Sequence, residues 1–166
     1  LFPQFCSSCE VKLKEEEVLI CSICLCDIER VISVNRVKDL KYSNALDFAF
    51  SGYWFDEQMQ DCLHALKYNG FSKIVAHLLN PIKSVILKIF SKYSIDCLLP
   101  VPLHKVKMRE RGFNQAEIIC QYLSEISQLP IVNNIQRVYW TESQTKLTIQ
   151  QRKENIQNAF KLNSEI

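Results

Sequence analysis

Residues 95–116 read IDCLLPVPLHKVKMRERGFNQA, and the fold class turns on them. Residues 95–101 are almost continuously apolar, the pattern of a strand buried on both faces of a parallel sheet. Pro100 and Pro102 end that run, because neither can donate to a ladder. A basic stretch follows, with Lys105, Lys107, Arg109 and Arg111 against the single acid Glu110. It closes on Gly112 and then Asn114, an N-cap for a helix opening at Gln115. In open α/β sheets, ligands bind beyond the carboxyl ends of the strands. A loop there that offers free N–H groups, cations and a helix N-terminus suits a phosphate or pyrophosphate. A solvated basic turn would have the same composition.

Outward from this stretch, helices and strands alternate. Residues 115–127 place Ala116, Ile119, Tyr122, Leu123 and Ile126 on one side of a helix, and 56–68 do the same with Met59, Cys62, Leu63 and Leu66. Gly70 is a credible stop for the latter. Residues 72–92 carry apolar side chains at helical spacing from Ile74 to Phe90, and Pro81 must break, kink or restart that run. His64 and His77, on these helices, read as structural histidines. Residues 27–41 read as a charged linker that becomes a strand near 31–34, and 45–55 as a strand running into a turn at Ser51-Gly52. The cluster Tyr53-Trp54-Phe55 reads either as core or interface or as a base-stacking platform. A strand over 131–140 and a helix over 148–160 complete an α/β pattern, a parallel sheet flanked by helices.

Composition supports a packed core: 48% of the 166 residues are hydrophobic and 23% charged, which excludes a disordered chain. Twenty Lys and Arg against eighteen Asp and Glu leave a net charge of +2, so any nucleic-acid or phosphate site must be a local patch rather than a global field. With three scattered glycines, a glycine-rich dinucleotide loop is ruled out. The sequence offers no cationic-then-apolar leader and no apolar run near the ~18 residues of a membrane span, so a reducing, cytosolic setting is expected.

Eight cysteines stand out. Cys6, Cys9, Cys21 and Cys24 form the pattern C-x2-C-x11-C-x2-C. Each C-x2-C can wrap two thiolates around one ion, and two pairs complete a tetrahedral set suited to zinc. Two disulfides are the other use of such pairs, disfavoured in a reducing compartment. A structural zinc contributes roughly 10–16 kcal/mol, far more than the core that some two dozen residues can build. Residues 1–28 are therefore expected to form a zinc ribbon or knuckle, and 29–166 the main domain. Cys26 is a spare thiol and an alternative fourth ligand to Cys24.

Five further segments occur in order: LKYNG at 66–70, PVP at 100–102, RGFNQA at 111–116, ESQ at 142–144, and RKEN at 152–155 followed by NAF at 158–160. With the four cysteines, they closely resemble the ComF family of competence-associated proteins, over essentially the whole chain. The resemblance implies a zinc module joined to a type I phosphoribosyltransferase-like domain. It implies that Leu103, His104 and Lys105 contact the pyrophosphate of phosphoribosyl pyrophosphate, with Arg109 and Arg111 adding charge and Lys67 in the LKY motif. It maps a mobile loop onto residues from Arg137 to Arg152, with Gln144, Arg152 and Asn155 as its recognisable positions and Tyr139 and Trp140 at its base. Structural zinc and Mg2+ with phosphoribosyl pyrophosphate are the implied cofactors.

The acidic pair and Thr/Gly-rich turn with which type I enzymes grip ribose and its 5-phosphate do not occur here. The segment carrying them is expected beyond Ile166, so half a site and weak or absent phosphoribosyl pyrophosphate binding are expected of this chain. The leading functional expectation is a cytoplasmic protein of natural transformation, peripheral to the inner membrane or free of it. It would handle incoming single-stranded DNA with a helicase-like partner, through Lys105, Lys107, Arg109 and Arg111, as a monomer or a homodimer. The alternatives are an active phosphoribosyltransferase of nucleotide salvage and a non-catalytic zinc module that docks a helicase.

Overall fold

A computed structural model describes residues 5–31, 35–40, 45–68, 73–141 and 147–163. Gly70, Gln144 and most of the strand expected near 31–34 lie outside these residues. The chain divides into two compact units, Leu1–Ser94 and Ile95–Ile166.

The first unit opens with the cysteine-rich segment. Bridges pair Phe5 with Lys12 and Val18 with Ile20, and Leu19 takes φ 65° between the latter two. α1 (Ser22–Asp27) follows at once. A 3-10 turn spans Val37–Asp39, and then come α2 (Glu57–Tyr68), α3 (Lys73–Leu79) and α4 (Lys83–Tyr93). α2 buries Met59, Cys62, Ala65 and Leu66, α3 buries Ile74, Val75 and Leu78, and α4 buries Ile86 and Ile89. Ile20, Leu25 and Ile28 of the same unit are almost completely buried as well. Pro81 sits in a 3-10 turn, Asn80–Ile82, between α3 and α4, because its missing N–H cannot continue an α-helical ladder.

Two expectations for this unit are corrected. Residues 45–55 form no strand; Tyr53 alone bridges to Arg30. The stretch Lys73–Tyr93 is apolar and long enough, by length and composition, to cross a membrane, with a mean hydropathy of 1.4. Its interruption at Pro81 and its buried stripe are those of two packed helices.

The second unit holds α5 (Lys105–Arg111), α6 (Gln115–Ser127), β1 (Ile135–Arg137), α7 (Ile149–Ile156) and β2 (Phe160–Leu162). β1 and β2 pair antiparallel, with Ile135 opposite Leu162 and Arg137 opposite Phe160. The architecture is therefore α/β, but the sheet among the described residues is two antiparallel strands. The parallel strand expected over 95–101 reduces to one parallel bridge, Leu98 to Ile131. Its two bonds are Leu98 N to Pro130 O at 2.8 Å and Val132 N to Leu98 O at 2.9 Å. Pro100 and Pro102 remove the donors that would have extended it.

The basic stretch after Pro102 is a helix, not the expected loop. His104 caps it through Nδ1, which accepts from the Val106 amide at 3.3 Å. Gly112, at φ 80°, ends it in the left-handed conformation that glycine adopts without strain. α6 begins where expected, but among its side chains only Cys120 is buried and the other inward positions are half-buried. The helix expected over 148–160 stops at Ile156, and residues 160–162 become β2.

Candidate metal centre and anion cleft

The two C-x2-C turns of the first unit bring four sulfurs together. One ligand atom from each of Cys6, Cys9, Cys21 and Cys24 lies within 4.8 Å of every other, and all four thiols are free. The Cys9 and Cys21 Sγ atoms are 3.7 Å apart. A disulfide would need ~2 Å, whereas four sulfurs at 2.3 Å from one zinc lie about 3.8 Å apart.

Backbone amides prepare the set. Cys21 N donates to Cys6 Sγ at 3.3 Å and Cys24 N to Cys21 Sγ at 3.4 Å. Burial opposes the Cys6 thiolate, but the amides of Cys21, Cys9 and Ser8 outweigh it and hold the thiol down to about 6. The Ser8 hydroxyl favours the Cys24 thiolate, yet crowding by Cys9 and burial push that thiol up to about 12. Four thiolates this close repel one another unless a cation lies among them. The set can thus hold a metal ion such as zinc, with Cys24 rather than Cys26 as its fourth member. Cys26 is exposed and accepts from Arg30 Nη2 at 3.6 Å.

Two residues support the knuckle from outside the ligand set. Glu17 is buried, and its carboxylate accepts from the Lys14 amide at 2.8 Å and the Ser22 amide at 2.7 Å. Those bonds hold it at about 2, ionised at any ordinary pH. Ser22 is the first residue of α1, so Glu17 ties the turn at 14–17 to the helix that carries Cys24. The sequence signal was present, an acid in the turn before a helix start, but it stood in a run of three glutamates. His77, on α3, bonds the Ile20 carbonyl at 2.8 Å and has the structural role expected of it. Cys62 is buried on α2 and pushed up to about 12 by that burial, an inert core thiol.

In the second unit, Leu103, His104 and Lys105 line one wall of a cleft of about 350 Å³, and Ile135, Gln136, Arg137 and Val138 line the other. His104 Nδ1 accepts from the Val106 amide, so Nε2 is the ring nitrogen left for a ligand. Arg137 donates to Thr141 Oγ1 and lies 5.6 Å from the Phe160 ring centre, while its Nε is buried without a hydrogen-bond partner.

The other candidate residues lie outside this cleft. Arg109 is exposed on α5, Lys107 pairs with Glu110 at 2.8 Å, and Arg111 donates to Gln115 Oε1 at 2.5 Å. Arg152 and Asn155 are on α7, where Arg152 Nε donates to the Leu147 carbonyl at 3.0 Å. Lys67 is in the last turn of α2, in the first unit. Tyr139 and Trp140 are exposed just beyond β1. Sequence reasoning missed the wall formed by 135, 136 and 138, because its residue types carry no phosphate signal.

Comparison with known proteins adds the following. Competence protein ComFC of Bacillus subtilis is 31% identical over 141 residues, covering 76% of this chain and 54% of that protein. Competence protein F of Haemophilus influenzae is 40% identical over 68 residues, 40% of this chain and 30% of that protein. DNA utilization protein YhgH of Salmonella typhi is 32% identical over 104 residues, 60% of this chain and 46% of that protein. The chain thus spans about half or less of the length of these curated relatives. No protein-family model matches it, and no solved structure does. Similarity to relatives bearing competence and DNA-utilization names agrees with the paired cysteines and the ordered segments quoted above, and on that basis the chain belongs to the ComF family.

Proposed function

We propose that the chain acts in natural transformation, handling incoming single-stranded DNA in the cytoplasm, and that its second unit holds a diphosphate group. The names of its relatives support the process. The observation that carries the diphosphate reading is the cleft in which residues 102–105 face Arg137. The cleft is lined by the segment expected to contact pyrophosphate, at the start of α5, and by Arg137 on β1, expected at the start of the mobile loop.

The chemistry fits an anion. His104 offers its Nε2, Lys105 supplies a point charge, and Arg137 supplies a planar cation. If the bound species is phosphoribosyl pyrophosphate, these groups face the leaving diphosphate, where charge builds as the C1–O bond breaks. Magnesium, when bound, would neutralise part of that charge. The acidic pair and Thr/Gly-rich turn that would grip ribose and its 5-phosphate do not occur in this sequence, so weak binding is the expected result. The zinc knuckle is structural in this reading.

Calorimetric titration with Mg-phosphoribosyl pyrophosphate and with Mg-pyrophosphate tests the cleft. Expected is pyrophosphate binding that Arg137→Ala abolishes, with phosphoribosyl pyrophosphate bound no more tightly. Low-micromolar affinity for phosphoribosyl pyrophosphate would show the site to be complete, and pyrophosphate binding unchanged in Arg137→Ala would remove the cleft from the account.

A further inference from the structure

The first unit also carries a set of partly exposed aromatic rings. Trp54 is 51% exposed and Tyr93 36% exposed, with Phe48 and Phe50 half-buried. Phe48 links the set: its ring lies 4.4 Å from that of Tyr93 and 6.5 Å from that of Phe50, centre to centre. The Phe48 and Phe50 planes differ by only 12°, which gives flat ligands one common stacking direction. Arg36 joins Trp54 to these rings. Its amide donates to the carbonyl of Ala49, between the two phenylalanines, at 2.9 Å, and its guanidinium lies 5.8 Å from the Trp54 ring centre. At the far end, Lys92 Nζ lies 5.1 Å from the Tyr93 ring centre.

Backbone bonds position the Trp54 end of the set, in addition to the ring contacts among Phe48, Phe50 and Tyr93. The Trp54 amide donates to Glu29 O at 2.8 Å, the adjacent Tyr53 hydroxyl donates to Leu78 O at 2.7 Å, and Tyr93 ends α4. Leaving large aromatic faces in water forgoes the burial that rings of this size otherwise gain. Here two of the rings carry a cation beside them, Arg36 at Trp54 and Lys92 at Tyr93. An apolar protein partner has no use for that pairing of ring and cation. A single strand of nucleic acid does, since its bases stack on rings while its phosphates meet the cations.

We infer that Trp54, Phe48, Phe50 and Tyr93 form a stacking platform for single-stranded DNA, with Arg36 and Lys92 contacting its phosphates. This rests on the DNA-handling reading above but moves the contact from the basic helix α5 to the first unit. Asp47 adjoins Phe48 in the sequence, so stacking rather than net charge carries most of the affinity.

The test uses the full chain and a labelled oligo(dT), followed by fluorescence anisotropy. Trp54→Leu and Tyr93→Leu are each expected to weaken binding about tenfold, while Trp54→Phe keeps it and all three keep the wild-type circular dichroism. The chain has two tryptophans, so in a Trp140→Phe background the emission reports Trp54 alone, and it is expected to be quenched at the oligonucleotide concentration that saturates the anisotropy. Unchanged affinity in both leucine variants, or emission that does not respond, overturns the platform. If Lys105→Ala/Arg109→Ala then loses binding, the DNA reading survives without the platform. If the wild type does not bind the oligonucleotide, the DNA reading itself fails. A concentration-dependent dimer that Trp54→Leu dissolves, with oligonucleotide affinity intact, would make the surface a contact between two copies and would also overturn the platform.

Discussion

At the scale of single residues, Glu17 bears most directly on the metal centre without touching it. Its carboxylate is held at about 2 by the Lys14 amide first and the Ser22 amide second. A folded-state value below the ordinary 4.5 means a contribution to stability that is complete above 4.5, declines as pH falls below it, and is gone below about 2. Charge-assisted bonds of this kind are worth roughly 1.5–3 kcal/mol each, and Glu17→Ala leaves two backbone donors in a buried turn. The variant is therefore expected to lose about 2–4 kcal/mol in urea denaturation at pH 7 with zinc in excess. The gap from wild type should stay flat between pH 8 and pH 5; a gap that opened or closed within that range would trace to a different titrating group.

Secondary-structure elements differ in how plainly the sequence wrote them, and the difference follows the range of the interactions involved. α6 was legible because its start is a local chemical fact: the Asn114 side chain accepts from the Ala116 amide at 3.1 Å and donates to the Val101 carbonyl at 3.0 Å. The break at Pro81 was legible for the same reason, and so was the cysteine set, since each pair spans one turn. α5 was not, because its helix rests on a histidine cap and a glycine stop rather than on apolar periodicity, and its side chains are all at least partly exposed. The second strand was hidden inside an apparent helix that in fact stops at Ile156, with Gln157 extended and Asn158 at φ 58°. Strand pairing is the least legible because it depends on a distant partner. The knuckle gives the sharpest test at this scale. Cys26→Ser should retain one zinc per chain by elemental analysis, while Cys24→Ser and Cys6→Ser should retain almost none and expose residues 10–20 to protease. Full zinc in Cys24→Ser would make Cys26 the fourth ligand.

For the whole molecule, a net charge of +2 fixes what kind of DNA binding is physically available. No long-range field gathers a polyanion, so affinity must come from a few phosphate contacts and from stacking. The basic helix offers fewer contacts than its sequence suggests, because Lys107 is paired with Glu110 and Arg111 with Gln115, which leaves Lys105 and Arg109 exposed. Each phosphate contact on a single strand contributes about 0.7 to the slope of log affinity against log salt. Lys105→Ala/Arg109→Ala is therefore expected to make that slope shallower by about 1.4 if both residues touch the strand. Aromatic substitutions at Trp54 or Tyr93 remove no charge, so they are expected to lower affinity at every salt concentration and leave the slope unchanged. Measured on one oligonucleotide from 50 to about 200 mM salt, the two classes of variant separate an electrostatic from a stacking interface. A slope that the double alanine variant leaves untouched would take α5 off the path of the strand.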